Sequence, residues 1–304
     1  MKKDFVSIHD RTPAEIAGLL DLADAVKKDR ARYRTALAGK TLAMIFEKSS
    51  TRTRVSFEAG MYQLGGLGMF LSSRDLQIGR GEPIADTARV LSRYVDGIMA
   101  RTFAHETVTE LARHATVPVI NGLTDLLHPC QVMADLQTIR EAFGKLAGLK
   151  LAYVGDGNNM AHSLMFGGAK TGMSVAVASP EGYEPKGEIV AAARKDAAET
   201  NASITTTRDP AEAVAGAHVV YTDVWASMGQ EEEAQVRRRK FAGFTVTEAL
   251  MAKASPDAIF LHCLPAHRGE EVEAAVADGP RSRIFDEAEN RLHAQKAILV
   301  SLMA

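Results

Sequence analysis

The sequence predicts an α/β protein with two doubly wound domains, each a mostly parallel sheet flanked by helices. Short β-rich apolar runs alternate with longer helical stretches along the chain, which is the pattern of parallel α/β sheets. The chain has 304 residues. At about 150 residues per domain, that length predicts two domains.

The first half of the chain contains four predicted strands separated by helices. Thr12 followed by Pro13 places a capping residue and a proline at the start of the first helix, which is a good start signal. The predicted strands are Thr41–Phe46, Gly68–Leu71, Gly97–Ala100 and Pro118–Ile120. The predicted helices are Thr12–Leu37, Thr51–Leu64, Pro83–Tyr94, Glu106–His114 and Pro129–Phe143.

A second series of strands and helices begins near residue 150. The predicted strands are Lys150–Val154, Ser174–Ala178, Ser203–Thr206, His218–Thr222 and Ala258–His262. The predicted helices are Met160–Thr171, Glu188–Thr200, Pro210–Ala215, Thr247–Lys253, Glu270–Ala277 and Glu287–Met303. No strand follows the last helix, so we expect residues 287–304 to return to the first domain. The predicted domains are therefore 1–143 and 144–286, with this helix added to the first.

Charge and composition exclude several classes of protein. The 36 basic and 38 acidic residues give a net charge of −2, which argues against a protein that grips nucleic acid by charge. No apolar stretch approaches the roughly 18 residues of a membrane span, and the first residues contain no apolar signal segment. Cys130 and Cys263 are the only cysteines, too few for a disulfide framework. We expect a cytoplasmic enzyme that binds neither membrane nor nucleic acid.

Hydroxyl and guanidinium groups follow the first predicted strand. Ser50-Thr51-Arg52-Thr53-Arg54 runs into a helix, and a helix N-terminus carries a partial positive charge and unpaired N–H groups. Together these groups form an anion cradle. The alternative is an N-cap serine followed by a solvated basic turn.

Two further polar groups end or follow neighbouring strands of the first domain. Arg101 ends the third strand, and His128-Pro129-Cys130-Gln131 follows the fourth. Ligands of such sheets bind at the carboxyl ends of strands, so we expect these groups to converge with residues 50–54 on one phosphate-sized site. The alternative for residues 128–131 is a helix cap with a partly buried cysteine.

In the second domain, amide and carboxylate groups follow the strands. Gly155-Asp156-Gly157-Asn158-Asn159 is not a dinucleotide fingerprint, because Met160 stands where the third glycine is needed. The paired asparagines suit a zwitterionic ligand or, equally, cap a turn. Asp223 ends a later strand, where a carboxylate can hold an ammonium group. The charged run at 237–240 is predicted to be a solvated helix face.

The segment His262-Cys263-Leu264-Pro265 ends the last strand. A zinc site would need His262, Cys263, His267 and a fourth ligand, and their spacing matches no zinc template, so we predict no metal. A nucleophilic Cys263 needs a base beside it. Adjacency to His262 does not provide one, because neighbouring strand residues face opposite sides. For Arg291, near the start of the last helix, the local sequence favours a surface position over an anion ligand.

Together these motifs resemble the aspartate/ornithine carbamoyltransferase family. They are residues 50–54, residues 128–131, Asp-x-x-x-Ser-Met-Gly from Asp223, and His-Cys-Leu-Pro at 262–265. The resemblance runs from about Thr12 to Met303, in the family's order and spacing. The first two motifs are common to the aspartate and ornithine members, and the last two are similar to those of the ornithine members.

The resemblance implies transfer of a carbamoyl group from carbamoyl phosphate to the δ-amine of L-ornithine, in arginine biosynthesis and without metal or cofactor. It assigns residues 1–143 to carbamoyl phosphate and residues 144–286 to ornithine. It also implies a homotrimer in which Gln77 reaches a neighbouring subunit's site. The implied carbamoyl phosphate ligands are Ser50, Thr51, Arg52, Thr53, Gln77, Arg101, His128, Gln131, Cys263, Leu264 and Arg291. The implied ornithine ligands are Asn159, Asp223, Ser227 and Met228, and the implied catalytic residues are Arg101, His128, Asp223 and Cys263.

Three other functions compete with this hypothesis. The first is transfer to another acceptor amine, namely aspartate, putrescine or an acylated ornithine. Asp223 and the Ser227-Met228-Gly229 loop favour an acceptor with a free α-ammonium group instead. A nucleotide-binding dehydrogenase of similar fold is disfavoured by the absent glycine fingerprint. A non-catalytic binding protein is disfavoured by the complete set of polar groups at strand ends.

Overall fold

The computed structural model describes residues 2–226 and 233–304. The chain divides into two compact units, Met1–Gln137 with Glu289–Ala304, and Thr138–Ala288. The division falls inside two helices, α5 (Pro129–Phe143) and α12 (Ile284–Met303). Each unit contains a parallel sheet accompanied by helices, so the predicted fold class is confirmed. The boundaries predicted at 143/144 and 286/287 stay predictions.

The first unit contains a four-stranded parallel sheet in the order β2-β1-β3-β4. Its strands are β1 (Thr41–Phe46), β2 (Leu67–Ser72), β3 (Gly97–Arg101) and β4 (Val119–Leu123). Its helices, besides parts of α5 and α12, are α1 (Pro13–Lys28), α2 (Thr51–Gln63), α3 (Ile84–Leu91) and α4 (His105–His114). Every residue of β3 and β4 is buried, as expected where helices cover both faces of a parallel sheet.

The second unit contains a five-stranded parallel sheet in the order β7-β6-β5-β8-β9. Its strands are β5 (Lys150–Val154), β6 (Ser174–Ala178), β7 (Ile204–Thr207), β8 (Val219–Thr222) and β9 (Ile259–His262). Its helices are α6 (Asn159–Thr171), α7 (Gly187–Ala198), α8 (Pro210–Val214), α9 (Ala234–Lys240), α10 (Glu248–Met251) and α11 (Ala274–Ala277). No helix among the described residues has the length and apolarity needed to span a membrane.

In each sheet the strand order changes direction at one strand, because strands that follow it in the chain lie on both of its sides. In the first unit this strand is β1, which pairs with β2 on one side and β3 on the other, so that Phe46 lies beside Arg101. In the second unit it is β5, which pairs with β6 and β8. Open α/β sheets bind ligands outside the carboxyl ends of strands at such positions. The topology therefore marks one candidate site in each unit.

Two predicted helices were too long because local polar groups form turns instead. The first helix ends at Lys28 rather than Leu37, since the Asp29 carboxylate accepts the Arg32 N–H at 3.1 Å and closes a turn. The helix predicted over 270–277 begins only at Ala274. Before it, residues 269–271 form a turn, in which the N–H of Glu270 donates to the carbonyl of His267 at 2.9 Å.

Helix α12 buries a lysine against α2 within the first unit. Lys296 has no exposed surface, and its Nζ donates to Gln63 Oε1 at 3.1 Å. A Cβ at Gly60 would lie 3.3 Å from Lys296 Cγ, so glycine permits this close approach. Burial lowers the pKa of Lys296 to about 8. The folded state therefore disfavours the charged ammonium that the unfolded chain tolerates.

We expect Lys296→Met to raise the free energy of unfolding at pH 7 by on the order of 2 kcal/mol, allowing for solvent screening. The unfolded lysine stays protonated to about pH 10.4, whereas the folded one loses its proton from about pH 8. The wild type therefore gains stability between these values, and the advantage of the variant shrinks as the pH rises. Denaturant unfolding at pH 7 and pH 10 measures this. Lys28→Met on exposed helix surface is the control, and a pH-independent difference for Lys296→Met would contradict the prediction.

Candidate active site

The first unit gathers five basic side chains at the carboxyl ends of its strands, which we call the basic cluster. Its members come from the turn after β1, the first turn of α2, the end of β3, the turn before α5, and α12. They are Lys48, Arg52, Arg101, His128 and Arg291. The pKa of His128 is lowered well below its ordinary value, first by burial and then by the four cations Arg291, Arg101, Arg52 and Lys48. The imidazole is therefore neutral at pH 7.

The N-terminus of α2 adjoins this cluster. Ser50 caps the helix by accepting the Thr53 N–H at 3.1 Å, so the cap of the alternative interpretation is observed, whereas the charge of Arg52 acts on buried His128 as part of the basic cluster. Thr53 is buried, and its Oγ1 accepts from Arg291 Nη2 at 3.1 Å. Thr51 is exposed at the first turn. The positive end of the helix dipole and the basic cluster therefore favour an anion at the same place.

Arg291 lies in the interior of the first unit. It is 2% exposed, and its Nη1 donates to Gln131 Oε1 at 2.6 Å. Gln131 in turn donates from Nε2 to Asp135 Oδ1 at 2.8 Å, so both ends of its amide are held. The surface position favoured for Arg291 by its local sequence is wrong, because its partners lie 160 and 238 positions away along the chain.

Lys48 belongs to the basic cluster although the sequence analysis did not select it. Its side chain is 5% exposed and pairs with Asp125. Its Nζ lies 4.4 Å from the centroid of the Phe103 ring, a distance typical of a cation–π contact. Its position in the sequence could have identified it, because Lys48 stands two residues before the Ser50 motif and shortly after a buried strand.

Two other selected residues of the first unit, Gln77 and Cys130, are not members of the basic cluster. Gln77 is exposed on a 3-10 helix, Gln77–Arg80, and no hydrogen bond or ion pair among the described residues joins it to the basic cluster. Cys130 is fully buried, and its thiol donates to the carbonyl of Asn121 at 3.3 Å. Burial raises the pKa of Cys130 to about 12, so the thiol stays protonated and serves packing.

In the second unit, Asp223 is the centre of a network that we call the Asp223 cluster, with Tyr153, Asn158 and Cys263. Asp223 Oδ1 accepts from Cys263 Sγ at 3.1 Å, and Oδ2 accepts from Asn158 Nδ2 at 3.0 Å. Tyr153 donates its hydroxyl to Asn158 Oδ1 at 3.3 Å. Burial first, and then the charge of Asp223, raise the pKa of Tyr153 well above its ordinary value. The tyrosine therefore remains a donor.

The two asparagines of the turn after β5 have different positions. Asn158 caps α6 by accepting the Met160 N–H at 2.8 Å, so the capping alternative is observed for it. Asn159, the predicted ornithine ligand, is the first residue of α6 and is partly exposed. Sequence reasoning missed the contact of Asn158 with Asp223, which only the pairing of β5 with β8 creates.

Two buried glutamates hold the turn that carries Cys263 and Leu264. Glu271 Oε1 lies 3.1 Å from His262 Nε2, while His262 Nδ1 accepts the Leu264 N–H at 2.9 Å. Glu287 Oε2 accepts the backbone N–H of His262 at 2.9 Å. Leu264 has φ 59° in the left-handed region, a conformation that costs a leucine energy and needs such support. His262 thus faces Glu271 while Cys263 faces Asp223, as the alternation along a strand predicts.

The predicted ornithine ligands Ser227 and Met228 lie outside the described residues. Immediately beyond that segment, Arg237 is 7% exposed and donates from Nη1 to Asp156 Oδ2 at 2.7 Å and to the carbonyl of Trp225 at 2.8 Å. The prediction of a solvated face is therefore wrong for Arg237, because the carboxylate it pairs with lies 81 positions away.

Two family models match nearly the whole chain. Residues 3–141 match the carbamoyl-P binding domain, and residues 147–302 match the Asp/Orn binding domain, of aspartate/ornithine carbamoyltransferase. This chain belongs to the aspartate/ornithine carbamoyltransferase family.

Similar proteins of this family are closely related over their full length. The ornithine carbamoyltransferase of Anoxybacillus flavithermus is 66% identical, with 99% of this chain and 96% of that protein aligned. That of Oceanobacillus iheyensis is 62% identical over 99% of this chain and 94% of that protein. The solved ornithine carbamoyltransferase of Pyrococcus furiosus has a TM-score of 0.96 at 55% identity, with 99% of this chain and 97% of that one aligned.

The two clusters fall largely in different segments of the chain, each matched by its own family model. The carbamoyl-P binding segment contains four members of the basic cluster, Lys48, Arg52, Arg101 and His128. The Asp/Orn binding segment contains the whole Asp223 cluster. Arg291 falls in the second segment by sequence, yet it packs against Thr53 and Gln131 of the first unit.

Binding of a phosphate dianion at the basic cluster should raise the pKa of His128. The anion opposes the positive potential of the four cations that now lower this pKa. Nuclear magnetic resonance titration of the histidines, with and without saturating inorganic phosphate or carbamoyl phosphate, measures the change. The exposed His9 is the internal control and should not respond. An unchanged His128 titration at saturation would place the phosphate elsewhere.

Proposed function

We propose that this chain transfers the carbamoyl group of carbamoyl phosphate to the δ-amine of L-ornithine, giving L-citrulline and phosphate. One observation carries the proposal. The first unit of this family member holds the basic cluster at the carboxyl ends of its strands, and the second unit holds a carboxylate–thiol network at the carboxyl ends of its own strands. The first suits a small phosphate, and the second suits a cationic amine. Relatives named ornithine carbamoyltransferase, at 62% and 66% identity over the chain, support the same acceptor.

In this proposal the first unit binds carbamoyl phosphate. The α2 N-terminus with Ser50, Thr51, Arg52 and Thr53 binds the phosphate oxygens through N–H groups, hydroxyls and a guanidinium. Arg101 and the neutral His128 donate to the carbonyl oxygen, where negative charge grows as the amine attacks. Arg291 adds a planar fork of donors, and Gln131 holds that fork in place through the 2.6 Å bond to Nη1.

The second unit is proposed to bind ornithine through Asn159 and Asp223, together with Ser227 and Met228. The Asp223 carboxylate, held by Asn158 and Cys263, attracts an ammonium group and so orients the substrate. The attacking δ-amine must be neutral. Its nitrogen forms the new bond to the carbonyl carbon, and a tetrahedral intermediate follows. The bond from carbon to the phosphate oxygen then breaks, and the proton that the amine nitrogen gives up leaves with the phosphate. Cys263 and Leu264 are proposed at the reacting end.

We further propose the domain boundaries 1–143, 144–286 and 287–304, with cytoplasmic arginine biosynthesis as the role that the family resemblance implies.

The reaction is complete without a metal or organic cofactor, because phosphate is a good leaving group and charge stabilisation comes from the basic cluster. Other acceptor amines remain the competing function, and the acceptor assay distinguishes them.

A citrulline colour assay with the purified full chain tests the activity. L-Ornithine should give a kcat/KM at least about 10³-fold above those of L-aspartate, putrescine and N-acetylornithine. Aspartate and N-acetylornithine leave no ammonium for Asp223 once their one free amine attacks, and putrescine lacks the α-carboxylate of the zwitterion that the asparagine turn suits. Carbamoylation of another amine at equal efficiency would contradict the proposed acceptor.

Two variants separate the roles of the two units in that assay. Arg52→Gly removes a charge-assisted contact worth about 1.5–3 kcal/mol and should lower kcat/KM for carbamoyl phosphate about 10- to 150-fold. Cys263→Ser should lower turnover of ornithine while carbamoyl phosphate binding, measured by calorimetry, stays near wild type. Arg89→Ala, whose exposed side chain pairs with Asp86 at 3.0 Å, is the control for loss of a surface arginine.

The homotrimer that the family resemblance implies is supported by an apolar sheet edge that is exposed in the first unit. Strand β2 is at the edge of its sheet, and Leu67, Met69 and Phe70 on it are 56%, 43% and 36% exposed. On the adjacent α2, Tyr62 is 82% exposed. Exposed apolar edges of this kind mark protein interfaces. Gln77 follows β2 on the exposed 3-10 helix, which fits a residue that reaches a neighbouring subunit.

The wild type should therefore sediment near three times its chain mass of 32.7 kDa, and Met69→Glu should shift it toward the monomer. A buried unpaired carboxylate costs several kcal/mol, enough to dissociate the assembly at micromolar concentration. Phe285→Glu, at a 70% exposed phenylalanine of the second unit, is the matched control and should not change the mass. A wild type that sediments as a monomer would contradict the trimer.

A further inference from the structure

A group of metal-ligating side chains lies on the turn after β9 and is used by neither proposed substrate. His267, Glu270 and Glu271 each offer one ligand atom, and these atoms lie within 4.8 Å of one another. The side chain of His267 is 54% exposed and that of Glu270 is 32% exposed, whereas that of Glu271 has no exposed surface. The group therefore has two ligands open to solvent above one ligand fixed in the interior.

One oxygen of the buried ligand lacks a donor. Glu271 Oε1 accepts the backbone N–H of His267 at 2.6 Å and lies 3.1 Å from His262 Nε2. Glu271 Oε2 is also buried, yet it accepts no hydrogen bond from the part of the chain that the structure describes. It lies 3.9 Å from His267 Nδ1. A buried carboxylate oxygen without a donor is costly, and a cation beside it would remove that cost.

We propose that His267, Glu270 and Glu271 form a binding site for a divalent transition-metal ion, with Zn²⁺ as the ion that fits best. One imidazole nitrogen and two carboxylate oxygens are zinc ligands, and water completes the tetrahedron. Ligand atoms about 2.1 Å from a tetrahedral zinc are about 3.4 Å apart. The present 3.9 Å between His267 Nδ1 and Glu271 Oε2 is therefore reached by a small rotation of the exposed histidine.

This ligand set differs from the trio His262, Cys263 and His267 considered from the sequence. The structure turns His262 toward Glu271 Oε1 and Leu264, and it turns Cys263 toward Asp223. His267 is thereby left with the two glutamates. A zinc ion on Oε2 leaves Oε1 in place on His262 and on the backbone of His267.

A surface ion pair competes with the metal. Arg238 Nη2 lies 2.5 Å from Glu270 Oε1, and the arginine side chain is 59% exposed. Exposed pairs of this kind add little stability, so a bound ion displaces the arginine. The neighbouring Arg268 pairs with Asp278 at 2.6 Å, and its positive charge also acts on Glu271.

Isothermal calorimetry of the full chain with Zn²⁺ tests the site. Cys263→Ser is the starting protein, because Asp223, His262 and Cys263 also form a possible ligand group. It should bind one Zn²⁺ per chain, and adding His267→Ala or Glu270→Ala should weaken that binding at least about tenfold. Adding Arg238→Ala should tighten it, and adding Arg208→Ala, at an exposed arginine that pairs with Glu181 and Glu184, should leave it unchanged.

X-ray absorption at the zinc edge gives the second readout. The bound ion should show only nitrogen and oxygen ligands, including one imidazole. The proposal is overturned if the Cys263→Ser protein binds no Zn²⁺, or if His267→Ala leaves the affinity unchanged. The exposed His267 and Glu270 are chosen for substitution because neither supports the core. Because the readout is metal binding, its outcome is independent of the proposed carbamoyl transfer.

Discussion

Parallel strand pairing is the constraint on which both clusters depend. Hydrogen bonds between β1 and β3 place Phe46 beside Arg101, and those between β8 and β9 place Thr222 beside His262. Residues far apart in the chain thereby become neighbours at the carboxyl ends of paired strands, where their side chains lie close together. Shifting one strand by a single residue would turn each of these side chains to the opposite face. The apolar faces of the buried strands prevent that shift.

The two units use buried charge in opposite ways. In the first unit, Lys48 pairs with Asp125, and Arg291 donates to neutral oxygens of Thr53 and Gln131. The positive potential of these cations and of Arg101, which lowers the pKa of His128, favours an anion and is arranged before the ligand arrives. The folded chain bears the desolvation cost of these cations, and a bound phosphate relieves it.

In the second unit, buried carboxylates do the positioning. Glu271 and Glu287 hold His262 from its ring and from its backbone, and Asp223 is held by an amide and a thiol. These contacts fix the left-handed Leu264 and the direction of the Cys263 thiol. The same Glu271 also reaches the surface group with His267. One buried carboxylate therefore connects the interior of the turn to a candidate metal site.

The sequence by itself determined the fold class, most strands, and the motifs of the two clusters. Strands β1, β5 and β6 match their predicted bounds because a buried strand can be recognised from its local sequence, as a short apolar run between polar turns. Only the tertiary structure decided the burial of Arg291, the inclusion of Lys48, the contact of Asn158 with Asp223, and the group around Glu271. Each depends on partners brought near by strand order and helix packing. A local pattern carries no information about which distant residue will supply the opposite charge or the hydrogen bond, and that pairing decides whether a polar side chain is buried or solvated.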